Sequence, residues 1–248
     1  MKKQDRMGKT YVMGDIHGAH KAFKQCLERS GFNKKEDTLI QLGDVCDGWS
    51  EVYECVEELL TIPNLIAIKG NHDEWFNEYL QTGQHGSQWT QGADTTKKSY
   101  GERSFMIPES HEKFFRTQLP YYIDDNNNCF VHGGFNRHNS IKQQNPPYIY
   151  WWDRYLWYTA MSFKAMSRGL VMDKAYAKFK TKDNFTEIFI GHTATINWKT
   201  DKPMRAANVW NLDTGAGFKG KLTIMNVETK EYFQSDLVNE LYPYEKGR

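Results

Sequence analysis

No stretch of the chain approaches the roughly 18 consecutive apolar residues that span a bilayer, and Met1 to Lys9 is polar, with neither an apolar core nor a small-residue cleavage site. Neither a membrane span nor a signal peptide is therefore expected, and a cytoplasmic location is the default. Net charge is almost absent. Thirty-two basic residues against 31 acidic ones leave +1 over 248 residues, which provides no global footprint for nucleic acid or an anionic membrane. Any recognition of an anion must be local. Cysteine is also scarce: Cys26, Cys46, Cys55 and Cys129 form no C-x-x-C pair and lack the density of a secreted disulfide scaffold, so they read as reduced, mostly buried thiols. Repeats, low-complexity tracts and Pro/Gly/Ser linkers are missing too, which predicts one domain over residues 1–248. At 39% hydrophobic and 25% charged residues, the chain can bury a sizeable core.

What is present is a series of short β-type apolar runs: Thr10 to Met13, Thr38 to Leu42, Leu65 to Ile68, Cys129 to Val131, Ile188 to Ile190, Val209 to Leu212 and Leu222 to Val227. Helical patterns lie between the early ones, at His20 to Ser30 before Gly31 and at Ser50 to Thr61, with Ser50 placed to cap and Pro63 beyond the end. Strands alternating with helices predict an α/β fold. Glu74 to Gln118 is looser and predicts an insertion over a sheet edge, with a short helix at Glu109 to Gln118. Tyr148 to Ser167 has helical length, and Asp173 to Lys180 continues a helical pattern.

Five of the apolar runs end in a glycine-containing turn that also holds Asp, Asn or His. These are Gly14-Asp15-Ile16-His17, Gly43-Asp44, Gly70-Asn71-His72-Asp73, His132-Gly133-Gly134 and Gly191-His192. Strand ends of open α/β sheets are where ligands gather, and glycine there permits close backbone approach. One such turn would be unremarkable; five at successive strand ends point to a common site. Asp15, His17, Asp44, Asn71, His132 and His192 offer carboxylate, amide and imidazole donors, which suit Mn²⁺, Fe or Zn²⁺. A carboxylate shared by two ions is the usual basis of a two-metal phosphate site, and Asp44 is the candidate for that bridge.

These motifs, in this order, resemble those of the calcineurin-like metallophosphoesterases, and within them the bacterial and phage serine/threonine phosphoprotein phosphatases. The spacing agrees: 25 residues separate His17 from Gly43 and 21 separate Gly48 from Gly70, similar to the family's helical crossovers. Asn211-Leu-Asp-Thr-Gly215 is similar to a late turn of bacterial members, so the resemblance spans about residues 10–225. It implies an αββα sandwich of two mixed β-sheets flanked by helices, and two divalent cations. Asp15, His17 and Asp44 would hold the first cation, and Asp44, Asn71, His132 and His192 the second. A hydroxide between the metals would attack phosphorus, His72 would protonate the leaving oxygen, and Asp47 would orient His72. The implied substrate is a phosphoserine or phosphothreonine on protein, with phosphotyrosine a further option, or a small phosphoester; Asn71 would also touch it. A symmetrical dinucleoside tetraphosphate hydrolase shares the same motifs, and a metal-binding scaffold with little turnover is a third reading. The resemblance says nothing of oligomeric state.

One departure matters. The family's Asp-Arg-Gly reads Asp47-Gly48-Trp49 here, so a phosphate-clamping arginine is missing. Arg154, in Trp152-Asp153-Arg154, is similar to a second family arginine and is expected to remain as a clamp. Arg103, Arg137 and Arg205 are open as substitutes for the lost one. The aromatic group Tyr148, Tyr150, Trp151, Trp152, Trp157 and Tyr158 reads mainly as core, while Trp49 and Trp75 are candidate groove walls. Asp213 reads as a turn or supporting residue, and His20, His85, His111 and His138 as solvated or locally bonded.

Overall fold

Successive strand residues are buried on alternate faces, and this produces the layers. The computed structural model describes residues 8–103, 106–166 and 179–248. In it, β1 (Thr10–Met13), β2 (Thr38–Gln41) and β3 (Leu65–Ala67) run parallel. On the other side of β1 lie β9 (Thr223–Asn226) and β10 (Tyr232–Gln234), both antiparallel additions. A second five-stranded mixed sheet has the order β4 (Tyr121–Ile123), β5 (Cys129–Val131), β6 (Ile188–Ile190), β8 (Val209–Asn211) and β7 (Met204–Ala206). Because successive side chains of a strand face opposite ways, Val12, Ile40, Phe130, Phe189 and Met225 share one cluster between the sheets. There the Phe130 and Phe189 rings stack at 4.9 Å. The alternate residues Tyr11, Met13 and Leu39 pack instead beneath α1 (His20–Ser30) and α2 (Val52–Leu60). Val131, Ile188 and Ile190 likewise pack beneath α7 (Tyr155–Met166). The result is the expected αββα arrangement.

The elements differ from expectation in detail. The second helix begins after Ser50, whose amide and hydroxyl bond Glu245 instead of capping. Residues 74–118 are not a loose insertion: they contain most of α3 (Asn71–Thr82), all of α4 (Ala93–Arg103) and α5 (Glu109–Thr117). The aromatic segment from Tyr148 divides at Asp153 into α6 (Ile149–Trp152) and α7. A last turn, α8 (Val238–Leu241), precedes the closing segment. Of the helical pattern at 173–180, residues 173–178 lie outside the described residues. Among the described residues no helix is long and apolar enough to cross a membrane.

Candidate metal centre

Parallel pairing sets where the motif turns meet. The C-terminal ends of β1, β2 and β3 share one edge of their sheet, those of β5, β6 and β8 share one edge of the other, and the turns that follow them converge. The convergence is tight enough that a Cβ on Gly70 would lie 2.2 Å from the Asp44 amide nitrogen, and one on Gly191 would lie 2.1 Å from Asp15 Oδ1. Only glycine fits at either position. Four of the polar residues in the turns, His17, Asp44, Asp47 and His192, adopt positive φ without being glycine. Such conformations cost of order 1–3 kcal/mol each and cluster at functional sites.

Asp15, His17, Asp44, Asn71, His72, His132 and His192 are all buried. Ligating atoms of Asp15, His17 and Asp44 lie within 4.8 Å of one another, and so do those of Asp44, His132 and His192. Asp44 belongs to both groups: its Oδ2 stands 3.7 Å from His17 Nε2 and 3.3 Å from His132 Nε2. The Asn71 amide oxygen joins the second group at 3.3 Å from His132 Nε2. The structure thus brings together the six expected ligand positions.

The Nδ1 atoms of His17 and His132 are committed to backbone carbonyls, which turns their Nε2 atoms inward. His17 Nδ1 donates to Cys46 and Asp47 carbonyls at 2.9 and 2.8 Å, and His132 Nδ1 to the Leu42 carbonyl at 2.8 Å. Burial, followed by the Arg248 charge, lowers the His17 pKa to about 3, so its Nε2 carries a lone pair and no proton. Burial opposes protonation of His132, but Asp44 and Asp15 outweigh it and raise its pKa to about 9. Burial also favours a neutral Asp44, yet His132, His72 and His17 hold its carboxyl well below the usual range. For Asp15, burial and the Asp213 carboxylate act the other way. His192 is kept neutral by burial and by His132 and Arg154. Asp44 Oδ2 and His192 Nε2 are buried without a hydrogen-bond partner among the described residues. An unsatisfied buried polar group costs about 1–3 kcal/mol, and two of them aimed into one carboxylate–imidazole cluster fit divalent cations.

Beside this cluster His72 Nδ1 lies 2.7 Å from Asp47 Oδ2, and His72 Nε2 lies 4.0 Å from Asp44 Oδ2. Asp47 is held by two residues with no motif of their own. Trp89 Nε1 donates to its Oδ2 at 2.7 Å, and the Thr96 hydroxyl donates to its Oδ1 at 2.5 Å. Asp73, the last residue of its motif, receives the Val45 and Cys46 amides at 2.8 and 3.1 Å and so ties the second turn to the third. Asp213 accepts the Gly215 amide at 3.0 Å within its own turn, in keeping with a supporting role.

Arg154 Nη1 donates to the His192 carbonyl and Thr193 hydroxyl at 2.9 and 2.8 Å, at the rim of the cluster. Arg137 reaches the Lys180 carbonyl and Arg205 pairs with Glu187, and neither contacts the cluster; the Arg103 side chain lies outside the described residues. The arginine in the site is one the motifs gave no reason to name: Arg248 Nη1 donates to His72 Nε2 at 2.8 Å and to His17 Nε2 at 3.1 Å.

A groove of about 740 Å³ opens beside Asn71, lined by Glu74, Trp75, Glu78, Tyr148, Trp151 and Trp152. Three of the aromatics read as core therefore form a wall, while Tyr150 and Trp157 are buried as expected. Trp49 is no groove wall: it is fully buried, donates to the Ala216 carbonyl at 2.7 Å and stacks on Tyr242. His111, one of the four histidines outside the motifs, is buried between Tyr100 and Glu57.

Comparison with known proteins agrees with this geometry. The family model described as calcineurin-like phosphoesterase matches residues 8–195. A symmetrical bis(5'-nucleosyl)-tetraphosphatase of Pseudomonas fluorescens is 23% identical, covering 90% of this chain and 93% of the relative. Serine/threonine-protein phosphatase 1 of Salmonella typhimurium is also 23% identical, covering 88% and 91%. Among solved structures, one described as a candidate diadenosine tetraphosphatase superposes with a TM-score of 0.63 at 13% identity, covering 93% of this chain and 94% of its own.

Proposed function

The chain belongs to the calcineurin-like phosphoesterase family, and from that premise we propose that it is a dinuclear-metal phosphomonoester hydrolase acting on phosphoserine or phosphothreonine in proteins. Asp15, His17 and Asp44 would hold one divalent cation, and Asp44, Asn71, His132 and His192 the other, with Mn²⁺ the metal best suited and Fe or Zn²⁺ the alternatives. When bound, the cations supply Lewis-acid activation of the attacking water and neutralise phosphate charge. Two cations with two aspartates leave a local charge of +2, complementary to a phosphomonoester dianion.

The protein's own groups do the rest. Asp47 fixes His72 through Nδ1, so that Nε2 is the atom that passes a proton to the departing serine or threonine oxygen. Trp89 and Thr96 keep Asp47 from turning. Asn71 and Arg154 border the phosphate position. The supporting observation is the pair of ligand clusters that share Asp44, with the His72–Asp47 pair directly beside them.

The groove favours a protein substrate. Its charged lining residues are Glu74 and Glu78, with no lysine or arginine among those that line it. Glu74 pairs with Lys69, so a tetraphosphate would bring several negative charges chiefly toward Glu78, whereas a phosphopeptide brings one phosphate on a chain of any charge. A second reading, a symmetrical dinucleoside tetraphosphatase, has its own support: Trp75, Trp151 and Trp152 could stack a base, and tetraphosphatases are among the relatives. Competition decides between them. With Mn²⁺ present, kcat/KM for phosphoserine or phosphothreonine peptides is expected to exceed that for diadenosine tetraphosphate; the reverse ranking rejects the protein-phosphatase assignment.

A further inference from the structure

Gly48 leaves the family's clamp position without a side chain, and the segment that carries Arg248 packs over that same loop. Tyr242 stacks on Trp49, Glu245 receives the Ser50 amide and hydroxyl at 2.9 and 2.8 Å, and the Arg248 amide donates to the Gly217 carbonyl at 2.8 Å. The segment 242–248 is therefore tied to residues 49–50 by the Tyr242 and Glu245 side chains and to the turn beside His17 by its backbone. Gly217 itself has no room for a side chain, since a Cβ there would lie 2.5 Å from His17 Cδ2. The guanidinium is seated over Phe218 at 4.8 Å from the ring centroid, and only 14% of the side chain is exposed. Nothing in this packing requires a cation; an apolar residue would satisfy it better unless the charge is used.

Its surroundings say how. Nη1 lies within hydrogen-bond distance of His72 Nε2 and His17 Nε2, and 3.8 Å from Asp44 Oδ2. Nε is buried with no hydrogen-bond partner among the described residues. His17 Nε2 cannot both ligate a cation and accept from a guanidinium, and His72 Nε2 cannot carry a proton while accepting one. In the working site Arg248 must give up both acceptors, and its donors then face the space between His72 and the ligand cluster, where a negative group is the remaining partner. Arg154 lies on the His192 side of that space, so the two guanidiniums flank it from different elements.

We propose that Arg248 is a substrate phosphate-binding residue, supplied by the 242–248 segment in place of the arginine absent at Gly48. The assignment rests on the phosphoesterase function proposed above. A charge-assisted hydrogen bond is worth about 1.5–3 kcal/mol, or roughly 10- to 100-fold. The test uses inorganic phosphate as the probe on Mn²⁺-loaded full chain, by calorimetry and by inhibition of para-nitrophenyl phosphate hydrolysis. Arg248→Ala is expected to weaken phosphate binding and raise KM by roughly that factor, while Mn²⁺ binding to the variant stays equal or tightens. Arg248→Lys, which keeps the charge but loses the planar fork, should recover part of the loss. Phosphate affinity of Arg248→Ala within twofold of wild type overturns the assignment, as does a rise in kcat with phosphate affinity unchanged, which marks Arg248 as a plug. Loss of Mn²⁺ binding in the variant also overturns it, by showing a structural role. Failure of wild type itself to bind phosphate or hydrolyse the ester defeats the underlying function, and is distinguished by appearing before any substitution.

Discussion

Asp47 receives a bond on every side: Thr96 on Oδ1, Trp89 and His72 on Oδ2, and its own amide on the Thr96 hydroxyl at 3.0 Å. A carboxylate so restrained presents His72 in one orientation, the requirement for proton transfer at a fixed atom. His72→Asn is expected to lower kcat by roughly 10²- to 10⁴-fold, the usual contribution of a general acid, without loss of Mn²⁺ measured by metal analysis. Retained turnover would assign the proton elsewhere. The motif residues were legible in the sequence because each sits in a glycine turn directly after an apolar run. Trp89, Thr96 and Arg248 were not, because they reach the site from 42, 49 and 176 positions away, counted to Asp47 or His72, and follow no strand. The thiols, expected to be mostly buried, are buried at all four positions. Burial pushes the Cys26 pKa up to about 12, and Cys46, Cys55 and Cys129 move the same way. A folded-state pKa above the unfolded value of roughly 8.5 gives stability that is full below that pH and lost as pH rises through 12. Iodoacetamide at pH 9 should therefore label the native chain slowly and the denatured chain at all four thiols; fast native labelling would contradict the burial.

Among the elements, the central strands were readable from their apolar runs because both their faces are covered, one by the other sheet and one by helices. Three edge strands, β4, β7 and β10, were not, being short and only partly buried with mixed composition. The region from Gly83 to Arg103 read as loose because its glycines and polar residues hide its purpose, which is to brace Asp47: a Cβ on Gly92 would lie 2.6 Å from Asp47 Cβ. Trp89→Phe keeps the ring packing against Phe76 and Tyr79 but removes one donor. It is expected to reduce kcat by roughly 3- to 10-fold, a fraction of a charge-assisted bond's 1.5–3 kcal/mol, with KM little changed. An unaltered kcat would show that Thr96 alone suffices.

Across the whole molecule, the site and the core are parts of one arrangement. Packing two mixed sheets face to face through Phe130, Phe189, Val12 and Met225 brings the turns of both sheets to one place, so that Asp44 from one and His132 from the other stand 3.3 Å apart. Phe189→Ala should cost about 3–5 kcal/mol in urea denaturation and loosen metal binding with it; a cost below 1 kcal/mol would mean the sheets do not depend on that contact. The sequence had announced this arrangement only through the family it resembles, since which sheet lies on which is not written in any local run.

Cation-dependent phosphoester hydrolysis at the cluster that shares Asp44 is the claim on which the rest depends, and it is tested most directly by para-nitrophenyl phosphate turnover with Mn²⁺ or with EDTA, in wild type and Asp44→Asn. The expected result is turnover that requires Mn²⁺ and is abolished in Asp44→Asn, which also binds less metal. Mn²⁺-loaded wild type without turnover, or turnover that survives EDTA or the substitution, would contradict it.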